Sequence, residues 1–381
     1  MQKIFLVVPP GLENVSQQEL SELSLMGNQK YNYKPGSENL EYDCDLASLL
    51  QANINLRVPN RILVRLGDFT ATNFPELVKK ATRINWENFI SASSKVSIRT
   101  TCKKSKLYHS DAVSQRIHTS IEKRLVQKIS FVKSSLEDET ENDVQIIVVR
   151  IINDQVEISI DSSGTPLYKR GYRQALTKAP LRENLAAAMI LAAKWDSKKP
   201  LMDPFCGSGT IPIEAALIKN LIPPGNNRHF IMEKWPIFLK ESKYFEPHNN
   251  DEKNLQVGES NIYGSDRDAG AIRISMNNCL RANSTSSIIW NQHAFSDMPV
   301  INEPGWIVTN PPYGQRISSG HDLRNLYAQF GNVLRKRFMG WKVLFICSDP
   351  GLVSQTQLDP EVVLSFSNGG IGVKAYYTEI N

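Results

Sequence analysis

The sequence predicts an α/β chain in which residues 167–381 form a Rossmann-like, seven-stranded domain behind two smaller α+β units, 1–66 and 67–166. Three observations carry this. From about Leu167 strand-like and helix-like segments alternate, the pattern of a parallel sheet covered by helices. The stretch Leu201–Ile218 runs from a short apolar strand through a glycine loop into a helix. The last two strand candidates flank Asn368-Gly369-Gly370, a tight turn that makes the final pair antiparallel. A length of 381 residues is itself more than one ordinary domain.

Taken in order, residues 1–66 hold strand-like runs at Ile4–Val8 and Ile62–Leu66 around a helix at Val15–Leu25. Residues 67–166 give an amphipathic helix (Phe74–Ile84), a strand (Lys95–Thr101) and a basic helix (Asp111–Lys128). Paired strands follow at Val144–Ile152 and Gln155–Asp161, with Asn153-Asp154 as their turn. In the third part Pro180 starts a helix whose apolar face is Leu185, Met189, Ala192 and Ala193. Strands are expected at Pro200–Asp203, Ile262–Asp266, Ser287–Trp290, Trp306–Thr309, Val343–Cys347, Val362–Phe366 and Lys374–Thr378. Pro223–Ser260 has little periodicity and reads as an insertion, because the strand pattern resumes beyond it.

Hydrophobic residues make up 41% and charged residues 22%, the balance of a globular chain rather than a disordered or fibrous one. No window holds the roughly 18 consecutive apolar residues of a membrane helix. The N-terminal apolar run ends at Pro9-Pro10, too short for a signal-peptide core. A cytoplasmic protein is expected. Five scattered cysteines without CxxC spacing argue against a disulfide framework and a cysteine zinc site, and the histidines show no metal spacing, so no metal is expected. Lysine and arginine number 44 against 39 acids, a net charge of +5. An excess that small does not itself predict nucleic acid; the placement of the charges has to.

LMDPFCGSGTIPIEAALI ends a strand at Asp203, turns sharply at Gly207 and Gly209, and enters a helix at Thr210. Glycines let a ligand approach the backbone, and a helix N-terminus offers free N–H groups. The string is neither GxGxxG nor GxxxxGK[ST], so a dinucleotide or triphosphate reading is poor. GSDRDAGAI later ends another strand, where an acidic side chain can accept both ribose hydroxyls of an adenosine moiety. Asp266 is the better candidate because it ends the strand, and Asp268 caps the next helix.

WIVTNPPYGQR delivers Asn310, Pro311, Pro312 and Tyr313 to the carboxyl edge of the sheet, where ligands bind in such folds. An exocyclic base amine is a poor nucleophile because its lone pair is delocalised into the ring. The amide oxygen of Asn310 and the carbonyl of Pro311 can each accept one of its N–H bonds and localise that pair toward a sulfonium methyl. Two prolines fix the backbone that aims these acceptors. Tyr313 offers a stacking face to a base taken out of its helix.

DPFCGSGT, GSDRD and NPPYGQR, in that order, resemble class I methyltransferases that act on amines. LYKRGYRQALTKAPLRENLAAA and NRHFIMEKWP are similar to a narrower set, the THUMP-domain RNA guanine-N2 methyltransferases, which include the N-terminal half of the bifunctional bacterial 23S rRNA enzyme. The resemblance is strongest from residue 160 onward and rests on element order in the N-terminal third. It implies a ferredoxin-like unit at 1–66, a THUMP RNA-binding domain at 67–166 and an S-adenosylmethionine-dependent methyltransferase domain at 167–381. Asp203, Phe205, Gly207, Gly209, Thr210, Asp266 and Asn310 would then bind S-adenosylmethionine, and Asn310, Pro311 and Tyr313 would serve catalysis. The implied product is N2-methylguanosine in 23S rRNA. Methylation of tRNA, adenine-N6 methylation of DNA and a non-catalytic RNA-binding role stay as alternatives. Where many class I members have an acid after the third strand, this chain reads WNQHAFSD, so Gln292, His293 or a backbone group would meet the adenine amine. No second methyltransferase domain follows, so a second activity is not expected.

Basic residues cluster at Arg99, Lys103, Lys104, Lys106, Arg116, Lys123, Arg124 and Lys128, with Tyr108 and His109 among them. A basic helix beside a basic loop can track the phosphates of structured RNA. A second segment, Lys169, Arg170, Tyr172 and Arg173, either contacts the RNA backbone or pins the domains together. Lys103, Lys104, Arg116, Lys123, Arg124, Arg170 and Arg173 are the RNA-binding candidates.

Overall fold

The structure is a computed structural model that describes residues 2–26, 32–33, 40–132, 143–173, 181–226, 228–241, 261–283, 288–313 and 320–381. Two sheets organise it. The first contains β1 (Gln2–Val7), β2 (Asn32–Tyr33), β3 (Glu41–Cys44), β4 (Arg61–Thr70), β5 (Lys95–Lys103), β6 (Ser130–Phe131), β7 (Val144–Ile152) and β8 (Gln155–Asp161). Their order is β2-β3-β1-β4-β8-β7-β5-β6. β4 is the seam: its first half pairs with β1 and nearly its whole length pairs with β8. The expected division at residue 66 therefore falls inside a strand, and the two N-terminal units share one continuous sheet.

Local chemistry explains the elements that matter. The β7–β8 hairpin turns on Asn153 and Asp154, both at positive φ (51° and 64°), the pairing that suits two right-twisted strands. Helix α1 (Glu13–Met26) covers the start of the chain, and α2 (Leu46–Asn55) begins at Asp45, whose carboxylate accepts from the Ser48 N–H at 2.7 Å. α3 (Phe74–Ala81) is capped by Asn73, and α4 (Ser110–Leu125) ends where Val126 turns left-handed. Their apolar faces close one core over the sheet, including Leu49, Val64, Leu77, Trp86, Ile117 and Ile147.

The second sheet has β9 (Leu201–Asp203), β10 (Ile262–Asp266), β11 (Ile288–Gln292), β12 (Trp306–Thr309), β13 (Lys342–Cys347), β14 (Glu361–Asn368) and β15 (Ile371–Glu379). The order is β11-β10-β9-β12-β13-β15-β14, parallel except that β15 runs against both of its neighbours. This is the Rossmann-like seven-stranded arrangement expected, with the Gly369-Gly370 turn at positive φ closing the last hairpin. Strand order reverses between β9 and β12, and ligands in open α/β sheets bind at such a switch point. Helix α5 (Glu183–Ala192) is buried almost all round; its expected start at Pro180 lies outside the described residues. α6 (Thr210–Lys219) and α8 (Ala269–Arg281) flank the β9–β11 side. α9 (Gly320–Arg337) and α10 (Pro350–Gln355) cover the other face, over a core of Tyr327, Phe330, Phe338, Trp341 and Phe345.

The N-terminal part and the Rossmann-like domain are packed into each other. Leu12 and Val58 are fully buried in the core of the second sheet. In return Phe230, Met232, Trp235 and Phe238, from the insertion and its helix α7 (Pro236–Glu241), join the core of the first. Trp235 meets Phe89 edge-on at 5.1 Å and donates its indole N–H to Gln145 at 2.7 Å. Residues 242–260 of the insertion lie outside the described residues. Gly11 touches β14 so closely that a Cβ there would stand 1.7 Å from the carbonyl oxygen of Ser365.

Candidate active site

The site is built at the carboxyl ends of β9, β10 and β12. β9 ends at Asp203, whose carboxyl is 2% exposed. Its Oδ1 accepts from the Thr309 hydroxyl at 2.7 Å and from the Phe205 N–H at 3.2 Å. Thr309 ends β12, so this bond ties the two strands on either side of the switch point. Burial pushes the Asp203 carboxyl up to about 7, and the nearby Asp266 acts in the same direction. No cation among the described residues pairs with it. A buried acid of this kind suits a ligand that brings its own positive charge.

Beyond Asp203 the chain passes Phe205, stacked on Phe295 at 5.7 Å, and turns at Gly207 (φ 54°) and Gly209 (φ 82°) into α6, with Thr210 as its first residue. The loop is held from outside. The Cys206 N–H donates to the Ser265 carbonyl at 3.0 Å, and Asn278 on α8 donates to the Ser208 carbonyl at 2.9 Å. The structure adds a packing reason for Gly209. A Cβ there would meet Ser275 Cβ at 2.6 Å and the Trp290 ring at 2.8 Å, so the glycine makes room for α8 and β11.

Asp266 ends β10 beside this loop. One carboxylate oxygen accepts from the Gly207 N–H at 3.1 Å and the other from the Asp268 N–H at 3.0 Å. Asp268 caps α8 through the Gly270 N–H at 2.7 Å, the capping role its spacing suggests. Gln292 closes β11 next to Asp266, and the His293 N–H donates to the Asp266 carbonyl at 3.2 Å. Asp203 and Asp266 thus stand on adjacent strands on one side of the switch point.

On the other side β12 delivers Asn310. Its side-chain Oδ1 is buried and has no hydrogen-bond partner among the described residues. A buried amide oxygen without a donor costs about 1–3 kcal/mol, so a substrate N–H that fills it is strongly favoured. Pro311 is buried, and Tyr313 is half-buried with its hydroxyl accepting from Asn368 Nδ2 at 2.9 Å. Sequence reasoning singled out Asn310, Pro311 and Tyr313 but missed Thr309, Asn278 and Asn368, which position them and the loop. The β-branched hydroxyl directly before Asn310 was the available signal for Thr309.

The basic candidates divide. Lys103, Lys104 and Lys123 are exposed, as is Arg116, whose guanidinium lies 5.6 Å from the Phe74 ring centroid. Tyr108 is 68% exposed and its ring centroid lies 4.1 Å from that of His109, in a loop tethered to the β7–β8 turn through Lys106 N–H and Asp154 at 2.7 Å. Arg124 is bound to Glu87 at 2.6 Å. Arg170 departs from the expectation. It is 7% exposed, donates to the Leu167 carbonyl and to the Arg57 carbonyl at 2.5 Å, and lies 3.7 Å from Glu214 on α6. Buried carboxylate and carbonyl partners turn its guanidinium inward, so it pins the domains and does not face RNA. Arg173 is likewise engaged, with the Leu181 carbonyl at 2.6 Å and Glu183 at 3.1 Å. Among the described residues no cluster of His, Cys, Asp or Glu could hold a metal ion, and no helix is long and apolar enough to cross a membrane.

Residues 170–375 match the RMKL-like methyltransferase domain, residues 71–161 the THUMP domain and residues 3–63 the RlmL ferredoxin-like domain. The chain belongs to the RMKL-like methyltransferase family. It is similar to YpsC of Bacillus subtilis, provisionally named an RNA methyltransferase, at 33% identity over 90% of this chain and 86% of that protein. It is 29% identical to the ribosomal RNA large subunit methyltransferase K/L of Syntrophotalea carbinolica over 97% of its own length, and spans 52% of that protein. A solved Listeria monocytogenes structure, provisionally described as an N6-adenine-specific DNA methylase, superposes with a TM-score of 0.79 at 29% identity, covering 98% of this chain and 95% of that one. This RMKL-like protein is accordingly an S-adenosylmethionine-dependent RNA methyltransferase. The site fits that cofactor: Asp203 can face its cationic end and Asp266 its ribose, with Asn310 across the switch point.

Proposed function

We propose that this RMKL-like methyltransferase methylates the exocyclic N2 amine of a guanosine in 23S rRNA, as a cytoplasmic enzyme. The observation that carries the reading is the buried Oδ1 of Asn310, unpartnered among the described residues, at the edge of the cofactor site. When bound, S-adenosylmethionine supplies an electrophilic methyl on a cationic sulfur. Asn310 accepts one N–H of the amine, and the Pro311 carbonyl accepts the other. The nitrogen lone pair is thereby turned out of the ring toward the methyl. The nitrogen would take the methyl from bound S-adenosylmethionine, which leaves as the neutral thioether, and then, strongly acidic, would shed its proton to water. No general base is demanded. The protein's contribution is orientation and electrostatics, and oriented reactants can account for roughly 7–11 kcal/mol of a barrier. Tyr313 gives the extruded base a stacking face and is itself held by Asn368.

The THUMP match and the exposed Lys103, Lys104, Arg116 and Lys123 support an RNA substrate over the DNA-adenine description attached to the Listeria protein. The long K/L relatives support ribosomal RNA over tRNA. The test is transfer of labelled methyl to unmodified 23S rRNA fragments, tRNA and DNA, followed by nucleoside analysis. N2-methylguanosine in the 23S fragments is the expected product. The same product in tRNA alone would move the substrate, and label in DNA adenine would overturn the reading.

A further inference from the structure

A cleft of about 570 Å³ lies over the ends of β13, β14 and β15, within the range of roughly 300–1,000 Å³ typical of small-ligand sites. It is lined by Pro10, Ser348, Ser365, Ser367, Lys374 and Tyr376 among others. Neither the cofactor site nor the Asn310 acceptor uses these residues. Strand register explains how they meet: Lys374 stands opposite Cys347 on one side and Ser365 on the other, and Ser367 lies two residues further along β14 on the same face.

Three features define what it would hold. No lining residue is acidic, while Lys374 is exposed and makes no ion pair among the described residues. The nearby Asp349 carboxylate is engaged in capping α10 through the Gly351 N–H at 2.8 Å. Three serines, Ser348, Ser365 and Ser367, line the same cleft and can supply hydroxyl donors beside the lysine. The wall formed by Pro10 is fixed, because Gly11 is pressed against the Ser365 carbonyl. Position supplies the rest. β13 is the immediate neighbour of β12, which carries Asn310, and β15 is next. Strands about 4.8 Å apart put the Lys374 strand roughly 10 Å from the β12 end, on the side away from Asp203 and Asp266.

We propose that this cleft binds the phosphodiester and sugar of the nucleotide flanking the methylated base, with Lys374 as its cation. This rests on the reading of an RNA base at Asn310. One phosphate neutralised by one lysine fixes the strand while the target base turns toward Asn310, so the cleft sets the register of the RNA at the site.

The test compares Lys374→Ala and Lys374→Arg with the wild type, using the 23S fragment in direct binding as well as methyl transfer. Lys374→Ala should raise Kd and KM for the fragment about tenfold, leave kcat and S-adenosylmethionine affinity within about twofold, and reduce the salt slope of log Kd by about 0.7–0.9. Lys374→Arg should restore most of the affinity. A methylphosphonate at the phosphate flanking the mapped target should weaken the wild type and leave Lys374→Ala unchanged. Binding and salt slope unaltered by Lys374→Ala would overturn the proposal. If the product proves not to be N2-methylguanosine but the binding loss and slope change hold, the cleft stands and the guanine reading falls.

Discussion

The hydroxyl of Tyr313 accepts a 2.9 Å hydrogen bond from Nδ2 of Asn368, joining the segment after β12 to the end of β14 across two intervening strands. Asn368 is buried next to the Gly369-Gly370 turn, so the bond anchors a loop residue to a fixed part of the sheet. Tyr313→Phe should lower kcat about tenfold with little change in S-adenosylmethionine affinity. Asn368→Ala should do the same, and the double variant should be no worse than either alone, the non-additivity of residues that act as one unit. Additive losses in steady-state transfer would separate their roles.

Asn310→Ala removes the acceptor proposed for the amine. Loss of one pre-aimed polar group in a reaction site typically costs about 100- to 1,000-fold in turnover. Single-turnover transfer should fall by that factor while RNA and cofactor affinities stay within a few-fold. Equal losses in all three would make Asn310 structural.

Asp203 has a pH signature. Between the ordinary carboxyl value and about 7 the folded chain keeps a proton that the unfolded chain has released. The stability this group contributes therefore declines as pH rises through that window. A cation beside the carboxyl favours its ionised form, so binding the cofactor's ammonium expels the proton. S-adenosylmethionine Kd should fall as pH rises from about 6 to about 8, by up to about tenfold per unit. Asp203→Asn should flatten that profile in calorimetric titrations; a wild-type profile already flat would remove Asp203 from the cationic end.

Arg170 was legible as a basic residue at a junction, but its direction was not. Nothing local distinguishes a lysine–arginine segment that faces solvent from one that faces Glu214 and the Arg57 carbonyl, partners far along the chain. Arg170→Ala leaves the Glu214 carboxylate buried without it, a change that typically costs about 3–5 kcal/mol. A large fall in Tm with an unchanged salt slope for RNA binding is the expected pair of results.

What the sequence did reveal was short-range. Asp203, Gly207, Gly209, Asp266 and Asn310 sit in strings whose spacing dictates a strand end, a sharp turn or a cap, and all of them lie at the carboxyl edge of one sheet. The seven strands were legible because each is an apolar run between turn residues. The continuity of the first sheet was not, because which strands β4 pairs with on its two edges is set by residues far along the chain. The packing of Trp235 against Phe89 was hidden for the same reason: the insertion's apolar residues have no periodicity, and their partners lie in another domain. Gly209 was recognised as a loop glycine, but its close packing against α8 and β11 was not. Gly209→Ala should cost about 1–3 kcal/mol, because Ser275 and Trp290 must yield and φ is positive. A Tm drop partly recovered by Ser275→Gly would confirm that packing.

The proposed acceptor of the methyl is the amine at position 2 of guanine. Inosine lacks that amine and keeps the rest of the base, so a 23S fragment carrying inosine at the mapped target position alone removes the nucleophile and leaves the other guanosines paired. Labelled transfer should disappear with the inosine fragment and persist with a 7-deazaguanosine fragment, which retains the amine. Undiminished transfer to the inosine fragment would contradict the account.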